Sequence, residues 1–566
     1  MKNQLEKISS KANFAFWPIE FAEIFSEKGG FDIVIANPPY VRQENISDPL
    51  AYQELNVEEK RVYKQKLQEQ IKKDWSFNGR SLISKIDGRA DLYVYFYLKG
   101  LKLLNEDGVM CFISSNSWLD VGYGGDLQEI LLKYVPIVAI YDNQVKRSFK
   151  NADVNTIIAL LKAPFKKEWD NNLKDNIVRF VNFKKPFEEV IFSDVFLEIE
   201  KTNERKITEN FKIYPIKQYE LYNEGLEKEE GQMYASYVGN KWGGIYLRAP
   251  EIFFKILEKG KDKLVRLGDI AEVKRGFTTG ANEFFYLEPT GQPAPKGLLY
   301  VKNSAGWEGY IEEEFLKPVI KSPKELKTII VKEEDLKYKV FMCHKSKEEL
   351  QGTYTLEYIE WGEKQGCHKR PTCTSRQRWW ELPYLKSSSF IFKKGYGDFF
   401  AQFLVESRNI FIDQTFYYWE CEDPEIWSIY LNSSFFIMFL KISTSTGLGE
   451  GLLRPTTFEI ENIVLPQPEP IELRYLKTNG FLTRPIKSIF EELGFPKCTQ
   501  KNCNHPEHPY EYVKPDEVSF DSIMPDRREL DRIIFEAIGL TEEEQLEVYR
   551  TVVKLVKNRL LKAKKV

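Results

Sequence analysis

The residues best suited to chemistry form one short segment, Asn37-Pro38-Pro39-Tyr40, which follows the apolar run Phe31–Ala36. A short β-branched run that stops at two prolines predicts a buried strand and then a stiff loop. In open α/β sheets, such loops at the carboxyl ends of strands carry ligand sites. This loop offers an amide oxygen, main-chain carbonyls and an aromatic ring. These groups suit a planar base with an exocyclic amine.

The segment Phe31–Val41, FDIVIANPPYV, resembles motif IV of the DNA amino-methyltransferases that methylate adenine N6. Later segments follow the order of the same family. Ala90-Asp91-Leu92-Tyr93 is similar to motif V, the stretch from Gly108 to Leu119 to motif VI, and Phe149–Thr156 to motif VIII. The resemblance implies S-adenosylmethionine as methyl donor and double-stranded DNA as partner, with the target base turned out of the duplex.

The same resemblance assigns roles to single residues. The side-chain oxygen of Asn37 and the carbonyl of Pro38 accept the two N–H bonds of the amine, which favours the sp³ geometry needed for attack. Tyr40 stacks on the adenine and Phe149 packs against its other face. Asp91 supports the cofactor. The alternatives are a core residue for Phe149 and a helix N-cap for Asp91.

The order of elements predicts an α/β fold in four parts. These are a partial Rossmann-like methyltransferase sheet (1–165, motifs IV to VIII), a connecting subdomain (166–240), an α+β target recognition domain (241–470) and a mostly helical C-terminal region (471–566). Ala90–Leu104 is expected to be a helix. Strands are expected at 109–113, 137–141 and 155–161, and an apolar stripe that includes Tyr549, Val553 and Val556 predicts a C-terminal amphipathic helix.

Within the third part, the stretch LGDIAEVKRGFTTGANEFF resembles the recognition domains of TaqI-type methyltransferases and of type I specificity subunits. Arginine forks suit guanine edges and phosphates. The residues expected to contact DNA are Arg275, Thr278, Thr279, Arg376, Arg378 and Trp379. For each of them the alternative is a structural role inside the domain.

Composition limits the class of protein. The 566 residues are 42% hydrophobic and 29% charged, with a net charge of −3, so large cores are expected and a wholly basic nucleic-acid coat is excluded. No apolar run is long enough to span a bilayer. Seven cysteines in so long a chain favour a reducing cytoplasm over a disulfide scaffold.

Two groups of cysteine and histidine have the ligand types of a structural zinc site, although their spacing is tighter than in common zinc fingers. The first group is Cys498, Cys503, His505 and His508. The second is Cys367, His368 and Cys373, joined by Cys343 and His344.

The glycine-rich motif I of the family, which holds the cofactor, is not found in front of Asn37. The chain therefore resembles the C-terminal half of a type IIG-like enzyme, and we expect it to bind S-adenosylmethionine poorly without a separate N-terminal chain or subunit. No nuclease motif is found. The hypotheses are an adenine-N6 DNA methyltransferase of a restriction-modification or phage-defence system, or a DNA-specificity module or inactive fragment. Methylation of cytosine N4 or of a protein glutamine is a further alternative.

Overall fold

The chain folds into two units, Met1–Ala249 and Pro250–Val566. The apolar runs of the first unit form the strands of one mixed sheet. The computed structural model describes residues 17–51, 53–120, 122–143, 155–169, 171–227, 235–383, 390–407, 409–421, 423–444, 452–467, 480–496, 510 and 512–564. Among these, no helix is both long and apolar enough to cross a membrane.

The first unit is built on a seven-stranded sheet with the order β1-β4-β6-β5-β7-β9-β8. β1 runs parallel to β4, and β5 runs parallel to β7, whereas the other neighbours are antiparallel. The strands of this unit are β1 Phe31–Ala36, β2 Ser76–Phe77, β3 Arg80–Ser81, β4 Leu104–Ser115, β5 Ile137–Asn143, β6 Thr156–Lys162, β7 Ile177–Phe183, β8 Lys206–Ile207, β9 Phe211–Lys217, β10 Leu226–Glu227 and β11 Ser236–Tyr237.

The helix Leu92–Lys102 packs on the sheet because one of its faces is apolar. Tyr97, Leu98 and Leu101 are fully buried there. Gly100 allows a close approach, since a Cβ at this position would lie 2.9 Å from Met110 Sδ. Further helices of the unit are Trp17–Glu20, Ala22–Glu27, Val57–Asp74, Gly124–Tyr134, Asn171–Lys174, Phe187–Val190, Ser193–Lys201 and Gln218–Asn223, with a π-helix at Gly243–Arg248.

The α/β prediction for this part of the chain is confirmed, and the expected strands correspond to β4, β5 and β6, of which β6 begins one residue later than expected. The expected helix ends earlier than its pattern suggests, because β4 begins at Leu104 and pairs with β1 from there. The sheet also continues past residue 165. β7, β8 and β9 come from 166–240, the part expected to be a connecting subdomain, and they extend the same sheet.

The second unit is α+β. A five-stranded sheet has the order β13-β23-β20-β21-β18, a six-stranded sheet the order β16-β15-β14-β19-β17-β22, and β12 pairs with β24. Its strands are β12 Leu264–Arg266, β13 Lys274–Arg275, β14 Tyr286–Pro289, β15 Leu298–Lys302, β16 Glu308–Glu312, β17 Leu316–Ile320, β18 Ile330–Val331, β19 Tyr338–Phe341, β20 Phe390–Lys393, β21 Gln402–Val405, β22 Phe411–Ile412, β23 Phe416–Trp419 and β24 Val464–Pro466.

The C-terminal part of the second unit is helical, as predicted. Tyr549, Val553 and Val556 of the expected stripe are buried. The helices of the unit are Glu251–Lys259, Asn282–Phe285, Tyr354–Lys364, Pro371–Thr374, Pro424–Tyr430, Ser434–Ser443, Thr457–Glu461, Ile489–Glu492, Pro525–Ile538 and Glu542–Lys564.

Candidate active site

The Asn37–Tyr40 loop begins where β1 ends, at the carboxyl end of a strand that is parallel to its neighbour. The side chain of Asn37 is exposed and Pro38 is buried. The amide of Val41 donates to the carbonyl of Pro39 at 3.0 Å, and the amide of Leu92 donates to the carbonyl of Val41 at 3.0 Å. The loop is therefore tied to the start of the helix Leu92–Lys102.

Two hydrogen-bond acceptors of this loop remain available to a ligand. Within the described residues, neither the side-chain oxygen of Asn37 nor the carbonyl of Pro38 accepts a hydrogen bond. Proline lacks an amide hydrogen, so the two prolines cannot continue strand pairing and leave these oxygens unused. The arrangement can accept both N–H bonds of an exocyclic amine, which is the chemistry expected from the sequence.

Tyr40 is half-buried beside these acceptors. Burial raises the pKa of Tyr40 to about 12, so its ring is a neutral phenol at physiological pH. Tyr97 lies in the helix behind the loop, and its hydroxyl bonds to Ser114 at 2.9 Å. Burial raises the pKa of Tyr97, and the nearby Tyr40 adds to the rise. Sequence reasoning did not single out Tyr97, because its position in an apolar helix face reads as ordinary core.

Asp91 precedes the helix Leu92–Lys102 but makes no side-chain cap hydrogen bond to it. One carboxylate oxygen accepts from the Gln43 amide at 2.9 Å, and the other accepts from the Tyr123 hydroxyl at 3.2 Å. Burial raises the pKa of Asp91 against the lowering effect of these bonds. Asp91 thus joins the loop after β1 to the turn before Gly124–Tyr134. Its cofactor role stays a prediction.

A buried ion pair near the end of β4 was not foreseen from the sequence. Asp120 pairs with Arg248 and also accepts from the Gly244 amide at 2.9 Å. Burial acts to lower the pKa of Arg248, but the carboxylates of Asp120 and Asp142 outweigh it and hold that pKa above its ordinary value. Because 128 positions separate Asp120 from Arg248, no local pattern could have revealed the pair.

The paired glycines before β1 do not form a cofactor cradle. A Cβ on Gly30 would lie 2.6 Å from the carbonyl oxygen of Leu103, so Gly30 is required by close packing of the turn against the start of β4. Gly30 therefore does not form part of a glycine-rich turn that could hold a methyl donor. Phe149, expected opposite Tyr40, lies outside the described residues.

The residues expected to contact DNA differ in their surroundings in the second unit. Arg376 is half-buried and donates to the carbonyls of Thr278 at 2.6 Å and Thr279 at 2.9 Å. Arg378 donates to the carbonyl of His344 at 2.9 Å and pairs with Glu381 at 3.0 Å. These two arginines thus brace loops within the unit.

Trp379 and the Thr279 hydroxyl also make hydrogen bonds inside the unit. Trp379 is 8% exposed and its indole N–H donates to Glu363 at 3.2 Å. The Thr279 hydroxyl donates to Asn282. Arg275 is exposed, and Thr278 is half-exposed. Arg275 is therefore the exposed member of the set, and a DNA role for any of the six stays a prediction.

The structure tests one of the two predicted zinc groups. Within the part of the chain that is described, no cluster of three or more His, Cys, Asp and Glu side chains is placed to hold a metal. The predicted second site, around Cys367 and Cys373, is wrong, since the described structure does not bring its cysteines and histidines together as a metal-binding cluster, and both of these thiols lie in an apolar core. The first group, Cys498, Cys503, His505 and His508, lies outside the described residues.

Known proteins resemble the chain over both units. The relative M.AccI, a type II methyltransferase from Acinetobacter calcoaceticus, is 23% identical over 364 residues, which are 63% of this chain and 53% of M.AccI. M.BstVI, a type II methyltransferase from Geobacillus stearothermophilus, is 31% identical over 141 residues, which are 25% of this chain and 20% of M.BstVI. The chain thus spans about half the length of M.AccI and less of M.BstVI.

Solved structures with a similar fold include the type IIL restriction-modification enzyme MmeI in complex with DNA, at 11% identity and a TM-score of 0.44, covering 92% of this chain and 57% of MmeI. The type IIG restriction endonuclease BpuSI is similar at 13% identity and a TM-score of 0.35, over 94% of this chain and 54% of BpuSI.

Two family models match the chain in succession. The Eco57I restriction-modification methylase matches residues 1–149, and the C-terminal domain of type II methyltransferase M.Eco57I matches residues 239–473. The first match contains the Asn37–Tyr40 loop, and the second contains Arg275. Together they account for more than half of the sequence, and in both matched parts the chain is similar to Eco57I restriction-modification methylases.

Proposed function

We propose that this chain carries the base-binding part of a site-specific DNA methyltransferase that transfers a methyl group from S-adenosylmethionine to adenine N6. The observation that carries the proposal is the Asn37–Tyr40 loop, with two unused acceptors beside a half-buried aromatic ring at the carboxyl end of β1. The family supports a role in a restriction-modification system, and phage defence is the corresponding biological setting.

The work of this chain in the reaction is to hold and activate the amine. Asn37 and Pro38 accept its two N–H bonds, and these bonds strengthen as the nitrogen becomes tetrahedral and positively charged. Tyr40 stacks on the base as a neutral ring, since its pKa of about 12 keeps the phenol protonated. S-adenosylmethionine would supply an electrophilic methyl on a positively charged sulfur.

Residues beyond this chain are proposed to hold the donor. β1 is an edge strand among the described strands, yet Ile33 and Ile35 on it are 64% and 75% exposed. Strands in parallel pairs are normally covered on both faces. The relative M.AccI has about half of its length outside the match. We propose that a polypeptide with the remaining methyltransferase strands covers β1 at this edge.

A second candidate function follows from the absence of a cofactor-binding turn beside the Asn37–Tyr40 loop in the described residues. The chain would then be a DNA-specificity module, or an inactive fragment, that needs a separate cofactor-binding chain. The observation that favours this function is the close packing of Gly30 against the carbonyl of Leu103. Within the described residues, this packing leaves no glycine-rich turn beside β1 that could hold the cofactor.

Mass spectrometry of nucleosides from cellular DNA tests the proposal. The chain would be expressed alone and together with the product of the gene immediately upstream. N6-methyladenine that depends on Asn37 supports the proposal, and N4-methylcytosine instead would refute the assigned base. Sequence-specific DNA binding without methylation in either expression would favour the specificity module. Calorimetry with S-adenosylmethionine checks the donor, and tight binding by the chain alone would contradict the proposed division.

A further inference from the structure

Two loops of the second unit are locked together at the end of β13. The amide of Gln414 donates to the carbonyl of Phe277 at 2.9 Å, and the amide of Phe277 donates to the carbonyl of Ile412 at 3.1 Å. Gly276 permits this contact, because a Cβ there would lie 2.3 Å from the carbonyl oxygen of Asp413. The loop after β13 and the turn between β22 and β23 therefore form one rigid platform.

Gln414 holds an exposed arginine on this platform. Its side-chain oxygen accepts from Nη2 of Arg275 at 2.7 Å and from the hydroxyl of Thr278 at 3.0 Å. Arginine can only donate, so the oxygen of the amide must face it. The two hydrogen bonds use both lone pairs of that oxygen. The guanidinium of Arg275 is held through its Nη2 atom, and its other N–H groups make no hydrogen bond within the described residues.

A second cation lies beside this arginine. Burial lowers the pKa of Lys394, Arg275 lowers it further, and the carboxylate of Asp413 opposes both. The amine of Lys394 lies 5.5 Å from the centre of the Tyr417 ring. Tyr417 is the strand partner of Arg275. Among the described residues, neither Arg275 nor Lys394 is in an ion pair. Two adjacent cations repel each other, Asp413 offsets only part of that repulsion for Lys394, and an anionic ligand would relieve the rest.

We propose that Arg275 reads a guanine of the target sequence in the major groove, that Gln414 is the positioning residue that orients its fork, and that Lys394 contacts a neighbouring phosphate. An oriented guanidinium matches the O6 and N7 acceptors of guanine. It also suits a phosphate, but a phosphate contact carries no sequence information, so the base preference of the variants distinguishes the two. The ammonium of lysine binds phosphate as a point charge. The inference rests on the proposed DNA methyltransferase function and adds the base that this part of the recognition domain selects.

Selection from a pool of duplexes with a randomised central segment tests the inference with the full chain. The selected duplex and its single-base variants are then titrated against the wild type and the substituted proteins. Arg275→Lys keeps the charge but loses the fork, so preference for guanine at one position should fall about 10- to 100-fold. Lys394→Ala should weaken binding to all duplexes alike and reduce the salt dependence. Gln351→Ala and Lys302→Ala, at exposed positions of the same unit, are the matched controls.

Two substitutions of Gln414 separate positioning from direct contact. Gln414→Ala removes the acceptor and should lower the guanine preference, whereas Gln414→Glu keeps an acceptor for Arg275 and should retain it at a lower overall affinity. A Glu variant that loses the preference as Ala does would overturn the positioning role. An unchanged preference in Arg275→Lys would overturn the guanine assignment. A wild-type chain that enriches no sequence would refute DNA recognition itself, a result distinct from these.

Discussion

Replacement of Asn37 by alanine tests the central chemical assignment. The side chain of Asn37 is exposed and makes no hydrogen bond within the described residues, so its loss removes little packing. Substitutions at such surface positions change stability by less than about 0.5 kcal/mol, which shifts the melting temperature by no more than about 2 °C in a chain of this size. Folding and DNA affinity should therefore be preserved.

The expected effect on catalysis is much larger. Asn37 supplies one of two acceptors for an amine that gains positive charge in the transition state, and removal of one such preorganised group costs about 100- to 1000-fold in rate. Asn37→Asp keeps an acceptor and should retain more activity than Asn37→Ala. Asn45→Ala is the matched control, because Asn45 is an exposed asparagine of the same loop region outside the proposed site.

The assay is single-turnover transfer of a labelled methyl group to duplex DNA, with the chain co-expressed with its proposed donor-binding partner. Melting temperature and DNA affinity are measured on the same samples. Asn37→Ala that transfers methyl groups at the wild-type rate would refute the role of this loop in catalysis. A loss of rate that accompanies an equal loss of DNA affinity would also contradict it, since Asn37 would then contribute to binding alone.

Three further predictions concern the second unit. Arg376→Ala should cost about 2 kcal/mol in chemical denaturation, because two carbonyls lose their charged donor, and unchanged stability with lost DNA affinity would instead make Arg376 a DNA contact. Gly276→Ala should destabilise by about 1–3 kcal/mol through its clash with the Asp413 carbonyl, whereas Gly395→Ala, with open space around it, should not. Burial lowers the pKa of Lys393 from 10.5 to about 8. Between pH 8 and 10.5 the folded state therefore binds fewer protons than the unfolded state, and the free energy of unfolding should rise with pH by up to about 3 kcal/mol. Thermal melting of Lys393→Met over the same pH range should lack that rise.

Local sequence was sufficient where the signal is a short-range steric rule. The strand before Asn37 and its abrupt end follow from β-branched residues and two prolines, and the structure has β1 end at Ala36. The predicted burial of this strand is wrong within the described structure, because β1 lies at the edge of the sheet and none of its residues is buried. The C-terminal stripe was predictable for a similar reason, since helical periodicity places Tyr549, Val553 and Val556 on one face. The extent of the sheet was not predictable, because β7 and β9 join it through pairings with strands distant in sequence.

By itself, the sequence determined where the strand before Asn37 ends and a stiff loop begins, because neighbouring residues make that loop. The base-holding role of the loop stays a prediction. Only the tertiary structure decided which polar side chains are available. Arg275 and Arg376 are the same residue type, yet Arg376 braces two carbonyls inside the unit while Gln414 holds Arg275 at the surface. The physical reason is that a donor's partners are set by which segments fold against it, and Gln414 lies 139 positions from Arg275.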